Sequence, residues 1–214
     1  MSSPIEVQIW SDIVCPWCYV GKRRFEAALA AFEQPDRVHV TYRSFQLDPG
    51  AQSANPDTGS YVQRLARKYG IRDEQAEGMI DRMQTLASSE GITMDFEGIK
   101  VANTFNGHRL LHLAKTANLQ TELKEALFRA HFCEGKSVSD VEVLADVAES
   151  VGMDRDRSLA TLSSDAFAAD VRADMAEASR LAIHGVPFFV IGRDGVSGAQ
   201  PVNVLRQALE KAAE

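Results

Sequence analysis

Only three cysteines occur in this chain, so no disulfide framework holds its fold together. A basic excess is missing too. With 30 acidic residues against 23 Lys and Arg, the formal net charge is −7, which argues against nucleic acid or an anionic membrane as a partner, since such contact faces are basic. No apolar run approaches the roughly 20 residues that span a bilayer. The N-terminus shows neither a basic n-region nor an apolar h-region, because Met1 leads through Ser2-Ser3-Pro4 straight into strand-like sequence. These absences predict a cytoplasmic protein. Internal repeats and low-complexity stretches are lacking as well, and 45% apolar with 25% charged residues is ordinary globular material.

What is present is concentrated at one place. Cys15-Pro16-Trp17-Cys18 follows an apolar strand pattern and opens a helical one. In a reducing compartment such a pair is catalytic, redox-sensing or metal-binding rather than structural. Cys15 in the first helical turn would have its thiolate stabilised by unpaired backbone N–H groups and the helix dipole, which predicts a lowered thiol pKa. Cys18 lies one turn on, close enough to close a disulfide. Zinc requires four ligands, and the chain offers only His131 and Cys133 beside the pair. Their place at a helix exit makes a poor second knuckle, so no metal is expected.

The rest of the chain divides by period. Ile5, Val7 and Ile9 alternate with Glu6 and Gln8 as in a strand. Pro16 to Phe32 is helical, and Val38 to Phe45 alternates again, giving β-α-β with two parallel strands. Asp48 to Gly59 reads as a linker. From Gly59 to about Ala182 nearly every segment has helical period, including a Tyr61, Leu65, Tyr69 stripe and a Ser139-to-Glu142 capping box. Phe188 to Ile191 reads as a strand buried on both faces, Arg193-Asp194-Gly195 as a hairpin turn, and Pro201 as the opening of a last helix. The outer pieces predict one mixed sheet, with the helices between them inserted. The expected boundaries are residues 1–55 with 183–214 for the sheet domain, and 56–182 for the helical domain.

Three stretches together resemble a known family: Ser11-Asp12-Ile13-Val14-Cys15-Pro16-Trp17-Cys18-Tyr19-Val20-Gly21, Gly185 to Val190 with Val186-Pro187 at its centre, and Ser197-Gly198-Ala199-Gln200-Pro201. They are similar to the DsbA-like thioredoxin family, and within it to the FrnE-like branch of oxidoreductases. Asn103-Thr104 and His108-Arg109-Leu110 resemble that branch too. The resemblance implies an α/β thioredoxin fold with a large inserted helical domain. Kappa-class glutathione transferases and 2-hydroxychromene-2-carboxylate isomerases share that architecture, but place a serine where Cys15 stands.

Carried over by position, the resemblance implies Cys15 as the exposed attacking thiol and Cys18 as the buried resolving thiol. Pro187 would be a cis proline facing them, preceded by Val186. Asn103 and Thr104 would line the cleft, Gln200 and Ser197 would border it, and Trp17 would shield it or pack against substrate. Asn103 and Thr104 read equally well as a helix N-cap, and Gln200 as a cap before Pro201. Asp12 reads as a turn residue, His184 as a solvated loop residue, and Cys133 as a small buried hydrophobe. The implied function is thiol–disulfide exchange with a protein or small-molecule partner. No bound cofactor is expected; glutathione is a candidate co-substrate and a homodimer stays open. A kappa-type glutathione transferase or isomerase and a thioredoxin-fold chaperone are the alternatives.

Overall fold

In a computed structural model of the chain, residues 3–51 and 59–214 are described. Strands β1 (Ile5–Ser11) and β2 (Val38–Ser44) run parallel and are joined by helix α1 (Pro16–Ala30). Strands β3 (Phe188–Ile191) and β4 (Asp194–Ser197) form an antiparallel hairpin that pairs with β1 from Val7↔Ile191 to Trp10↔Phe188, and helix α9 (Val202–Ala213) follows. The result is one four-stranded mixed sheet of order β2-β1-β3-β4, as the β-α-β and β-β-α patterns predict. Between β2 and β3 the chain forms α2 (Tyr61–Tyr69), α3 (Asp73–Ser89), α4 (Phe105–Lys115), α5 (Gln120–Phe132), α6 (Val141–Ser150), α7 (Arg155–Leu162) and α8 (Ala168–Arg180). The expected boundary between residues 55 and 56 lies outside the described residues.

The alternation in β1 is explained by what covers it. Ile5, Val7 and Ile9 pack with Phe25 and Ala28 of α1, Phe189 and Ile191 of β3, and Leu205 and Leu209 of α9. Trp10 packs with Ala178 and Ile183, beside Phe188 and Val190. Phe189 and Ile191 are fully buried and Phe188 and Val190 only partly, so β3 is less evenly covered than its continuous apolar run suggests. The edge strand β2 is closed by a side chain rather than a strand. Gln120 of α5 accepts a hydrogen bond from Tyr42 N at 2.9 Å and donates one to Tyr42 O at 3.0 Å, repeating with an amide side chain what a fifth strand would supply.

Two local expectations change. The hairpin turn is Gly192-Arg193, with Gly192 at φ 60, a left-handed conformation that glycine adopts without a Cβ penalty; Asp194 and Gly195 already belong to β4. The cap of α6 is Asp140, whose carboxylate accepts from Glu142 N and Val143 N, whereas the Ser139 hydroxyl accepts from Asn103 N at 2.7 Å. Between α6 and α8 the short helix α7 is capped by Asp154, whose side chain accepts from Arg157 N.

Candidate active site

Where β1 ends, the chain turns through Asp12-Ile13-Val14 and Cys15 N donates to Asp12 O at 3.2 Å. Cys15 is the N-cap of α1 with extended backbone (φ −97, ψ 111) and Pro16 occupies the first helical position, where its missing N–H costs nothing. Cys18 N then donates to Cys15 O at 3.0 Å. The two thiols are free, and Cys18 lies close enough to act on the Cys15 thiol. Facing them, Val186–Pro187 is cis, and the Cys15 thiol donates to Val186 O at 3.5 Å. Gly198 N donates to Pro187 O at 2.8 Å and ties this loop to the end of β4. A Cβ on Gly21 would lie 2.9 Å from Pro187 Cγ, so α1 approaches the proline through a glycine.

Two expectations about Cys15 are corrected here. It is only 4% exposed, with Cys18 at 2%, so both sulfurs are buried. Its thiol is pushed well up from the ordinary cysteine range, first by the neighbouring Cys18 thiol and then by burial, against a lowering by the Cys18 N–H. The N-cap position contributes that lowering, but a neighbouring sulfur in an apolar core outweighs it.

Cys15 opens onto a cavity of about 490 Å³ between α1 and the α2–α3 pair, with Pro16 and Trp17 on one wall and Leu65, Ile80, Met83 and Phe96 on the other. The Tyr61, Leu65, Tyr69 stripe of α2 lines this cavity, and Tyr69 is 56% exposed. The period read the helix correctly, but the stripe covers the cysteines' approach rather than a closed core.

The other surroundings of the sulfurs are charged and closed. Asp12 accepts from Leu47 N at 2.8 Å and meets His108 Nε2 of α4 at 3.3 Å. Burial pushes its carboxyl up, but His108, Leu47 N–H and the Thr104 hydroxyl hold it below the usual range. Burial likewise lowers His108, against its bond to Asp12. Lys124 of α5 is fully buried, with Nζ 3.4 Å from Ser11 O and 4.8 Å from the Phe128 ring centroid. Burial brings its pKa down to about 8, and negative charge on Cys18, Asp12 or Cys15 pulls it back up. Asp174 of α8 is buried at the end of β2, where its carboxylate accepts from Ser44 N at 2.8 Å and Arg43 at 2.9 Å and lies 3.0 Å from His112 Nε2.

The residues expected at the site therefore separate. Cys15, Cys18, Trp17, Val186 and Pro187 come together. Thr104 is buried against Asp12. Asn103 accepts from Phe105 N at 3.0 Å and from Gln46 at 3.2 Å, and lines a separate depression with Pro49, Ser139 and Arg172. Gln200 donates to Ser197 O at 2.8 Å, bracing the loop after β4. His184 is exposed and Cys133 half-buried; burial raises the Cys133 thiol. His131 is buried with Nδ1 unpartnered, and burial lowers it to about 4. Among the described residues, no group of three or more His, Cys, Asp or Glu side chains is placed to hold a metal ion. Nothing in the sequence singles out Lys124 or Asp174, and His108 enters only through the resemblance, without a role; for Lys124 the available signal was polar Gln120, Lys124 and His131 along a second face of α5.

Comparison with known proteins decides the family. The DSBA-like thioredoxin domain model matches residues 6–210. The chain belongs to the DSBA-like thioredoxin family. A probable DsbA oxidoreductase from Streptomyces coelicolor is 45% identical and superimposes with a TM-score of 0.91 over 97% of this chain and 89% of its own. A 2-hydroxychromene-2-carboxylate isomerase shares the fold at 17% identity, TM-score 0.70, over 96% of this chain and 95% of its own. The cytosolic disulfide reductase DsbM from Pseudomonas aeruginosa does so at 17% identity and TM-score 0.62, over 96% of this chain and 97% of its own, and its structure is also known with GSH. This range of neighbours is consistent with the FrnE-like branch.

Proposed function

We propose that this chain is a thiol–disulfide oxidoreductase in which Cys15 attacks and Cys18 resolves. The observation that carries the reading is the free thiol pair at the N-terminus of α1, with Cys15 Sγ 3.5 Å from Val186 O of a cis Val186–Pro187 bond. Cys15 is the sulfur that lines the cavity, which supports it as the nucleophile. An incoming disulfide displaces the contact to Val186 O, and the Val186 backbone then borders the substrate. The Cys15 thiolate attacks one substrate sulfur, and the other leaves with the bonding electron pair. The Cys18 thiolate then attacks Cys15, releasing the second substrate thiolate and leaving the Cys15–Cys18 disulfide. Because the Cys15 thiol is raised, exchange gains speed as pH rises through and above neutrality.

The probable DsbA oxidoreductase at 45% identity supports the reaction class, and GSH in the DsbM structure supports glutathione as a co-substrate. No helix among the described residues is long and apolar enough to cross a membrane, and a cytoplasmic setting fits the scarcity of cysteine. The test is a Cys18→Ala variant, which is expected to accumulate a mixed disulfide on Cys15 when offered oxidised glutathione, seen by mass spectrometry of the peptides. Turnover of a glutathione-dependent isomerisation at wild-type rate in that variant, with no trapped adduct, would instead assign a kappa-type enzyme.

A further inference from the structure

Resting on the exchange reading above, the geometry points to a substrate class: we propose that the cavity over Cys15 takes a disulfide with an apolar body and an anionic end. Three observations carry this. The wall is apolar apart from a few groups, and Leu65, Ile80, Met83, Leu86 and Phe96 form it opposite Trp17. Its mouth is ringed by Trp17, Leu47 and Tyr69, which are 48%, 38% and 56% exposed; they are three of the five large apolar side chains left exposed among the described residues. Exposed apolar surface gathered at one place marks a binding site rather than a chance scatter. The third observation concerns charge. Lys68 of α2 and Arg82 of α3 line the same cavity, and among the described residues no acidic side chain does.

Both cations are exposed, and neither makes an ion pair with a carboxylate among the salt bridges of the described residues. An apolar chamber with two unpaired cations complements an aryl or alkyl disulfide that bears a carboxylate or phosphate. Oxidised glutathione still reacts but is a less complete match, since its α-ammonium group meets no carboxylate among the described lining residues and its amides find few partners on an apolar wall. The reaction balances as before. One substrate S–S bond breaks, the Cys15–Cys18 bond forms, and the two substrate halves leave as thiols carrying the electrons of the dithiol.

The test uses the reduced full-length protein and three disulfides: dithiobis(nitrobenzoate), which is aromatic and anionic, dithiodipyridine, which is aromatic and uncharged, and oxidised glutathione. Each rate constant is divided by that of the same disulfide with free dithiothreitol, which removes intrinsic reactivity. The normalised order expected is nitrobenzoate, then dipyridine, then glutathione. In a Lys68→Gln/Arg82→Gln variant, the ratio of nitrobenzoate to dipyridine should fall about tenfold, the size expected for two exposed charge contacts, and in the wild type the ratio should fall with added salt. A Lys115→Gln control, on an exposed lysine of α4, should keep the ratio. A ratio unmoved by the double variant, or a normalised preference for oxidised glutathione, overturns the substrate class while leaving the exchange reading intact. Absence of exchange with all three disulfides overturns the exchange reading itself.

Discussion

Two unlike regions meet at the sulfurs. The chamber over Cys15 is apolar and opens to solvent between exposed Trp17 and Tyr69. The seam between the sheet and α4, α5 and α8 is closed, and buries Asp12, His108, Lys124 and Asp174. In the chamber Lys68 and Arg82 make no ion pair among the salt bridges of the described residues, which leaves them to the ligand proposed above. In the seam the two carboxylates are each held by two or three donors, because a buried charge without partners costs several kcal/mol. One region is built to exchange its neighbours and the other to keep them. Substitutions should therefore separate them, the first changing rate and the second changing stability or its pH dependence.

The largest expected effect is on rate. Cys15→Ser should abolish exchange in a dithiol oxidation assay, with a melting temperature within a few degrees of the wild type. Next, Asp174→Ala should cost about 3 kcal/mol in urea unfolding, since it leaves Ser44 N–H unpaired and Arg43 without its carboxylate. Its carboxyl is held below the usual range, by His112, Ser44 N–H and Arg43 against burial. The stability it contributes is therefore present above the unfolded pKa of about 3.9 and lost as pH falls through the lower folded value. The acid limb of the unfolding curve should flatten in the variant.

Lys124→Met tests the seam with the opposite sign. A lysine whose folded pKa lies near 8 binds its proton less tightly than in the unfolded chain, so it destabilises most below that pH. Wild-type stability should then rise by up to about 3 kcal/mol between pH 8 and 10.5. Measured on the oxidised protein, where the sulfurs no longer titrate, that rise should disappear in the methionine variant. Unchanged pH dependence would show that Lys124 is not buried as a cation. The smallest effect is at Gly21→Ala. Helix propensity favours alanine by about 1 kcal/mol, but its Cβ would meet Pro187 Cγ at 2.9 Å. A net loss of about 1 kcal/mol, with slower exchange, is expected as α1 and the proline separate.

The chamber side was the more legible of the two in the sequence. Cys15-Pro16-Trp17-Cys18, the strand before it and Val186-Pro187 ahead of a short apolar strand are local patterns, and each occupies its expected element. The seam was scarcely legible: Gln120, Lys124 and His131 share a face of α5, but nothing adjacent to Lys124 or Asp174 in the chain tells that their helices bury that face. Periodicity assigns a lone Lys or Asp on a helix to solvent, and only packing of α5 and α8 on β2 reverses this. Asp12 read as a turn residue for the same reason: its partners Thr104 and His108 lie on the approach to α4 and within it, nearly a hundred residues later. The lowered Cys15 thiol failed for a related cause, since the helix N-terminus is visible in sequence and the enclosing core is not.

The central claim is that Cys15 and Cys18 form one redox couple. Equilibration in glutathione buffers of graded potential, followed by acid quench and thiol counting by mass spectrometry, tests it most directly. The account predicts that the thiols of Cys15 and Cys18 disappear together in a single two-electron transition, while Cys133 stays reduced. Independent loss of the two thiols, or a disulfide that includes Cys133, would contradict it.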